Sequence, residues 1–430
     1  MTTQDVGVRT VDATADALFT AALWGDQEAD PYEDFRRLRE RAPVLLTRHG
    51  TLVLSRYADA HAMFRDPAVG RGDEAFASLR GKLPDHQVEE VEQFWRSSLM
   101  FSNPPAHTRV RRVFNRSFTP QHVARLRGPI GADVEHALDR LEERRTSDFM
   151  EDVARSLPVD LVARLLGVPP ADRAGFQPLV RDLVSLLEPG VDAEGAERGL
   201  HAQRHLSGYF TELLAHKRAH PADDLLSRLA TDGEGCSDTE LAANSVLLFV
   251  AAFETTSNLL GQGVNALVTH PEEQARLRRD PGLVPHAVEE FLRFDPPTVV
   301  ASRSALRFCT IAGVDLAPGQ LVIAMIGGAN RDPDRYDDPD RLDVGRRQGP
   351  GLTFTSGAHM CLGAHLTRLQ AGEFFARLIG RFPHIEYADS PLRYPSRLLR
   401  GFHRLPITVH ARRTARRTPA PASTGFPRVL

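Results

Sequence analysis

Cysteine is scarce in this chain: Cys236, Cys309 and Cys361 are the three in 430 residues. So few, so scattered, they exclude a disulfide framework, and no CxxC spacing is present for a structural zinc; the reducing cytoplasm is the expected compartment. Lysine is scarcer, Lys82 and Lys217 being the two lysines in a Lys+Arg total of 53. Against 56 acidic residues the net charge is -3, which leaves no whole-chain footprint for nucleic acid. Long apolar runs are missing from the start of the chain. The stretch MTTQDVGVRTVDATADALFTAALWGD is interrupted by acidic residues, which argues against a signal peptide or membrane anchor. A linker is missing as well: no Gly/Ser-rich or Pro-rich segment divides the middle of the chain. We expect one large domain over residues 30–410, an N-terminal extension over 1–29 and a disordered basic, Pro-rich tail over 411–430.

What is present is a patterned apolar component, 42% of residues, ample for the core of a soluble globular monomer. Helical periodicity dominates. A first helix is set by Asp30 as N-cap and Pro31 at its first position, and it stops before Pro43. The runs on either side of His49 and Gly50 in VLLTRHGTLVLS predict a hairpin. The longest helix opens with a capping box, Ser237 and Glu240, and ends near Pro271, which at about 1.5 Å per residue gives a rod on the order of 50 Å. Its middle, Val246 to Phe253, is apolar nearly all round and should be buried. Within that buried stretch Glu254, Thr255 and Thr256 are out of place. Past residue 295 come short β-prone runs, and a last long helix starts near Gly363 and ends before Pro383. The fold class is therefore mainly α with small β-sheets.

The stretch FTSGAHMCLG, residues 354–363, places Cys361 in a glycine-containing loop just before that last helix. Free N–H groups and the positive helix end favour a thiolate there. A lone cysteine is ordinarily a buried inert thiol. Its neighbours change that reading, because Phe354, Gly357, His359, Cys361 and Gly363 fit F-x-x-G-x-H-x-C-x-G, which resembles the haem-ligand loop of the cytochrome P450 family. Three further stretches, in the family's order, carry the same resemblance. NPPAHTRVRR resembles the segment that enters the helix over one haem edge. AAFETT resembles [AG]-G-x-[DE]-T of the distal helix. EFLR resembles E-x-x-R, with Arg346 as third partner; taken alone, Glu290 and Arg293 at i, i+3 would be an ordinary surface pair.

The resemblance covers roughly residues 30 to 410 and implies a triangular helical prism around haem b (iron protoporphyrin IX). It implies Cys361 as iron ligand, whose electron donation favours O–O cleavage. Phe354 would pack beside the sulfur, and Gly357 and Gly363 would let backbone approach the porphyrin. His107, Arg111, Arg303 and His359 would bind the propionates, as charge-assisted donors to two carboxylates at the rim of an apolar slot. Ala251 would lie against the distal face, and Glu254 and Thr255 would deliver protons to bound O2. This chain departs from the family at Ala252 and Thr355, usually glycine or small, and at Asn103, usually aspartate.

The implied activity is that of a haem-thiolate monooxygenase, hydroxylating a C–H bond or epoxidising a double bond of a lipophilic small molecule such as a polyketide or macrolide-like intermediate. Since the chain shows no flavin, NAD or iron–sulfur motif, electrons would come from a separate ferredoxin and ferredoxin reductase. Arg112, more than Arg109 or Arg116, is the expected docking arginine for an acidic partner. The substrate pocket would draw on Phe76 to Leu99, Val180 to Leu187, Leu248 to Ala252, Pro297 to Ala301 and Leu398 to Gly401. Two other readings stand beside this one: oxidative coupling or desaturation on the same fold, and a non-catalytic haem sensor.

Overall fold

A computed structural model describes residues 12–25, 30–173, 175–186, 190–233, 235–394 and 399–410. The expected disordered tail over 411–430, and Leu187 and Leu398 of the expected pocket, lie outside the described residues.

The long helix spans Asp238–Thr269. Its capping box forms as the sequence predicts: the Ser237 hydroxyl accepts the Glu240 N–H at 3.2 Å and the Glu240 carboxylate accepts the Ser237 N–H at 2.8 Å, satisfying two otherwise orphaned donors. Val246, Leu247, Phe249, Val250 and Phe253 are buried, as an all-round apolar stretch must be. Around this rod pack the helices Ser156–Leu166, Ala193–Ala219, Val284–Phe294 and Ala364–Arg381. One close crossing is at Gly263, where a Cβ would lie 2.2 Å from the Phe375 ring and 2.9 Å from Phe291. Phe291, Phe374 and Phe375 fill that crossing, each burial contributing about 1.5–3 kcal/mol.

Beneath it the E-x-x-R pair is sealed from water. Arg293 donates to both Glu290 carboxylate oxygens, at 2.7 and 2.8 Å, and Arg346 Nε reaches the same carboxylate at 3.1 Å. The rest of the Arg293 guanidinium goes to the carbonyls of Asn330 and Pro339, so this buried ion pair is satisfied in full.

Helix Tyr32–Arg41 starts one residue later than expected, and the Asp30 carboxylate still caps it through the Tyr32 N–H at 3.0 Å. The structure adds an earlier helix that the sequence reading left inside the extension: Ala13–Trp24, capped by Asp12 and packed on Tyr32–Arg41. Its mixed composition gives little amphipathic signal.

The hairpin Val44–Leu46 with Leu52–Leu54 forms around Gly50 and continues into a five-stranded sheet through Leu321–Ala324, Ala301–Ala305 and Val69–Gly70. Gly70 pairs with Ser304, which brings Arg71 beside Ser302 and Arg303. A three-stranded sheet joins Thr146–Asp148, Pro406–His410 and His384–Tyr387. Its inner face buries Ile385, Ile407 and Val409, and the alternate residues His384, Glu386 and His410 are exposed.

Candidate active site

Between the long helix and the Cys361 loop lies a cavity of about 720 Å³. Cys361, Phe354, His359 and Gly363 wall one side, and Ala251, Ala252, Thr255 and Thr256 wall the other. The two motifs, a hundred residues apart in sequence, therefore face one space.

The loop is built by its own hydrogen bonds. Cys361 N–H donates to the Phe354 carbonyl at 3.0 Å and Met360 N–H to the Gly357 carbonyl at 3.2 Å. Arg111 Nη2 donates to the Met360 carbonyl at 2.7 Å, so this arginine ties the preceding helix Ala106–Asn115 to the loop. Arg368 stacks 4.5 Å over the Phe354 ring. Enclosure pushes the Cys361 thiol pKa up, while the Gly363 N–H, the Arg111 and Arg368 charges and the Ala364 N–H pull it down. Those four groups are what a sulfur anion would need if a cation took the proton's place.

Gly357 is required for a reason that the sequence did not show. It has φ +73°, and a Cβ there would lie 2.1 Å from the Phe64 carbonyl oxygen. The close approach is thus to backbone of the neighbouring helix Tyr57–Arg65, whereas at Gly363 the nearest atom to an added Cβ is Cys361 Sγ at 4.0 Å. Thr355, the departure from the family pattern, sits at φ +56°, a left-handed conformation that β-branched residues rarely adopt. Backbone geometry thus explains why a glycine suits this position.

The rim of the cavity holds a cluster of cations and imidazoles with too few acceptors. His107 and His359 stack at 4.1 Å between ring centroids. Neither ring nitrogen of His107, nor His359 Nε2, Arg303 Nη2 or Arg71 Nε, has a hydrogen-bond partner, although all are buried. Burial, reinforced by Arg111, Arg71 and Arg303, pushes the His107 pKa down to about 4. Burial pushes His359 down to about 2, with Arg71 next, and Arg303 down to about 8. Five unsatisfied buried polar atoms converging on one rim fit a missing anionic partner, and the two propionates of haem have that charge and valence.

Arg71 was not legible as a site residue, because the stretch GRGDE carries no motif. Asn103 holds it: its Oδ1 accepts the Arg71 N–H and its Nδ2 donates to the Arg71 carbonyl, both at 2.8 Å. An aspartate could make only the first bond, so asparagine at this position has a definite job.

On the far wall Thr255 donates its hydroxyl hydrogen to the Ala251 carbonyl at 2.6 Å, which leaves its lone pairs to accept. Ala252 lines the cavity beside it, as its position implied. Glu254 belongs to the same helical turn but is half-buried outside the cavity wall.

The remaining wall is mostly apolar, with Leu99, Phe101, Leu161, Val162, Leu248, Pro297, Val300 and Leu399 among its members. It corrects one expectation. No described residue of Val180 to Leu186 reaches the cavity; Val180 and Leu183 are core residues of a helix, Phe176–Ser185, that packs on Ala193–Ala219. In their place Leu23 and Trp24 of the first helix complete the wall. Trp24 is 55% exposed, an unusual state for a large apolar side chain. Of the three arginines expected to face a partner, Arg109 is committed to Glu240 at 3.0 Å, whereas Arg112 and Arg116 line a second groove with His107, Asn115 and Ala358.

A family model described as Cytochrome P450 matches residues 202–281 and 282–406. The chain is 36% identical to a vitamin D(3) 25-hydroxylase of Pseudonocardia autotrophica over 92% of its own length and 96% of that protein's. It is 33% identical to the polyketide biosynthesis cytochrome P450 PksS of Bacillus subtilis, over 88% and 96%. Among solved structures, P450BioI in complex with an acyl carrier protein ligated to hexadec-9Z-enoic acid superposes with a TM-score of 0.82 at 29% identity, covering 89% of this chain and 99% of that one.

Proposed function

Because the chain belongs to the cytochrome P450 family and is a haem-dependent monooxygenase, we propose that it hydroxylates or epoxidises a lipophilic small molecule, a polyketide or macrolide-like biosynthetic intermediate. The observation that carries this reading is the 720 Å³ cavity, apolar over most of its wall and bounded by Cys361 on one side and Thr255 on the other. Haem b, when bound, supplies activation of O2 with electrons from outside the chain. In this reading Cys361 ligates the iron and Phe354 shields the sulfur. His107, His359, Arg303 and Arg71 bind the propionates, and Arg111 holds the loop in place through Met360.

The protein's own part is to exclude water, orient substrate and manage protons. The Thr255 hydroxyl, fixed by Ala251, holds a water in the cavity through its lone pairs, and Glu254 passes protons to it from behind the wall. The apolar wall orients the substrate and keeps bulk water out. The groove bearing Arg112 and Arg116 receives an acidic ferredoxin, itself reduced by a ferredoxin reductase. The enzyme works as a cytoplasmic monomer; no helix of the described residues is long and apolar enough to cross a membrane.

A screen of polyketide and macrolide precursors for the low-spin to high-spin optical change tests the substrate class. Turnover under labelled dioxygen then tests the reaction: one labelled oxygen in the product supports oxygen insertion, and a product without label means coupling or desaturation. Reduced protein with carbon monoxide should show the thiolate-type Soret shift, and Cys361→Ala should abolish it. Binding of haem with no spin shift from any candidate would favour a sensor.

A further inference from the structure

We propose that His384, Glu386 and His410 form a zinc(II) site on the outer face of the three-stranded sheet. The strand register builds the site. His384 and Glu386 are two apart on the strand His384–Tyr387, so both project to the same face, and His410 of the neighbouring strand is paired directly with His384. The residues between them turn the other way, with Ile385 and Val409 in the core, which holds the strand carrying the ligands rigid.

The side chains are already arranged for a cation. His384 Nε2 is 3.2 Å from one Glu386 carboxylate oxygen and His410 Nε2 is 2.9 Å from the other. All three ligand atoms lie within 4.8 Å of one another. In a tetrahedral site with metal bonds of about 2.0–2.2 Å, ligand atoms stand roughly 3.3 Å apart, so small side-chain rotations convert the present contacts into coordination.

Two borderline imidazoles with one hard carboxylate make a nitrogen-dominated set, suited to zinc(II) rather than to the all-oxygen preferences of calcium or magnesium. Three protein ligands leave the fourth position to water, because the face is exposed. None of the three residues lines the cavity, so the metal is a clip between the two strands and takes no part in oxygen chemistry. Without a metal the same triad is a carboxylate hydrogen-bonded by two imidazoles, and the experiment separates the two states.

The haem-loaded, full-length protein, stripped of loose metal with a chelator, is titrated with zinc chloride against a competing fluorescent zinc indicator. The chain has 17 histidines, so the readout is the difference between wild type and variants. One tight zinc per chain is expected, with affinity at least about tenfold weaker in the H384A/H410A double variant and in E386Q. These positions are exposed, and an unchanged haem absorption spectrum shows that the variants are folded. Zinc should raise the Tm of wild type and leave that of the double variant unmoved. Variants that bind the first zinc as tightly as wild type, or a wild type with no saturable site, would overturn the proposal.

Discussion

Charge is buried in several places in this molecule, and two of them are opposites. Around Glu290 the hydrogen bonding closes: Arg293 and Arg346 share one carboxylate, and the leftover donors end on backbone carbonyls. At the cavity rim, Arg71, Arg303, His107 and His359 gather with no carboxylate among the groups that shift their pKa values, and leave buried nitrogens without partners. The first is complete by itself and does architecture. The second is complete only with an anion, and so identifies a binding site without any motif. Burial of charge alone says nothing about function; what decides is whether the pairing closes within the protein.

The largest expected effect tests the closed network. Arg293→Leu leaves Glu290 buried and stripped of its bidentate partner, at a cost of about 3–5 kcal/mol. Soluble yield and the denaturant midpoint should both fall, whether or not haem is supplied. A variant that merely loses haem while the apoprotein keeps its midpoint would erase the distinction between the two clusters.

The open cluster should respond with the opposite sign. Arg303→Leu removes an unsatisfied buried cation, so the apoprotein should be as stable as wild type or more so. Haem retention should weaken, since each charge-assisted bond to a propionate contributes about 1.5–3 kcal/mol, roughly tenfold to a hundredfold in affinity. Haem loss to a scavenger and apoprotein melting, measured on the same variant, give the two readings. If both fall together, Arg303 belongs with the architecture.

Acid provides a third, smaller test. His107 is held neutral, its pKa pushed from 6.5 down to about 4 chiefly by burial. Between those values the unfolded chain binds a proton that the folded apoprotein does not, so folded stability falls as pH falls through that window. Propionates beside the ring favour the protonated form, which raises the folded pKa and narrows the window. The Tm of apoprotein should therefore drop more steeply than that of haem-loaded protein from pH 6.5 to 4; parallel curves would mean that His107 does not face a propionate.

Much of this was readable in the sequence, and the rest was hidden for physical reasons. Capping boxes, hairpin turns and the Cys361 loop are local, and the structure places them where the pattern predicts. The E-x-x-R triad was legible with its third partner, though only through the family resemblance, since i, i+3 pairs normally lie in water. Arg71 was invisible because its role comes from the pairing of Gly70 with Ser304, more than two hundred residues away. Leu23 and Trp24 were missed because their helix has mixed, weakly patterned composition and was assigned to the extension. The expected contribution of Val180 to Leu186 failed because a strongly apolar helix face buries itself in the core as readily as it lines a cavity.

The Cys361 loop contributes His359 to the open cluster, and Thr355 tests whether the closed scaffold or the loop itself sets its shape. At φ +56° a β-branched residue costs about 1–2 kcal/mol, and the weak bond from its hydroxyl to the His359 carbonyl, at 3.3 Å, returns little. Thr355→Gly relieves that strain and gives back about 0.4–1 kcal/mol through the greater freedom of the unfolded chain. The balance is a gain of at most about 1.6 kcal/mol, a rise of no more than about 2 °C in Tm for a chain of this size. Since Cys361 is fixed by the Phe354 carbonyl, Arg111 and the helix start at Gly363, its environment should survive the change. The Soret position of the reduced carbon monoxide complex should then stay where it is in wild type while Tm rises. A Soret shift together with a falling Tm would show that the threonine shapes the loop, and that the scaffold behind it is less rigid than its closed network implies.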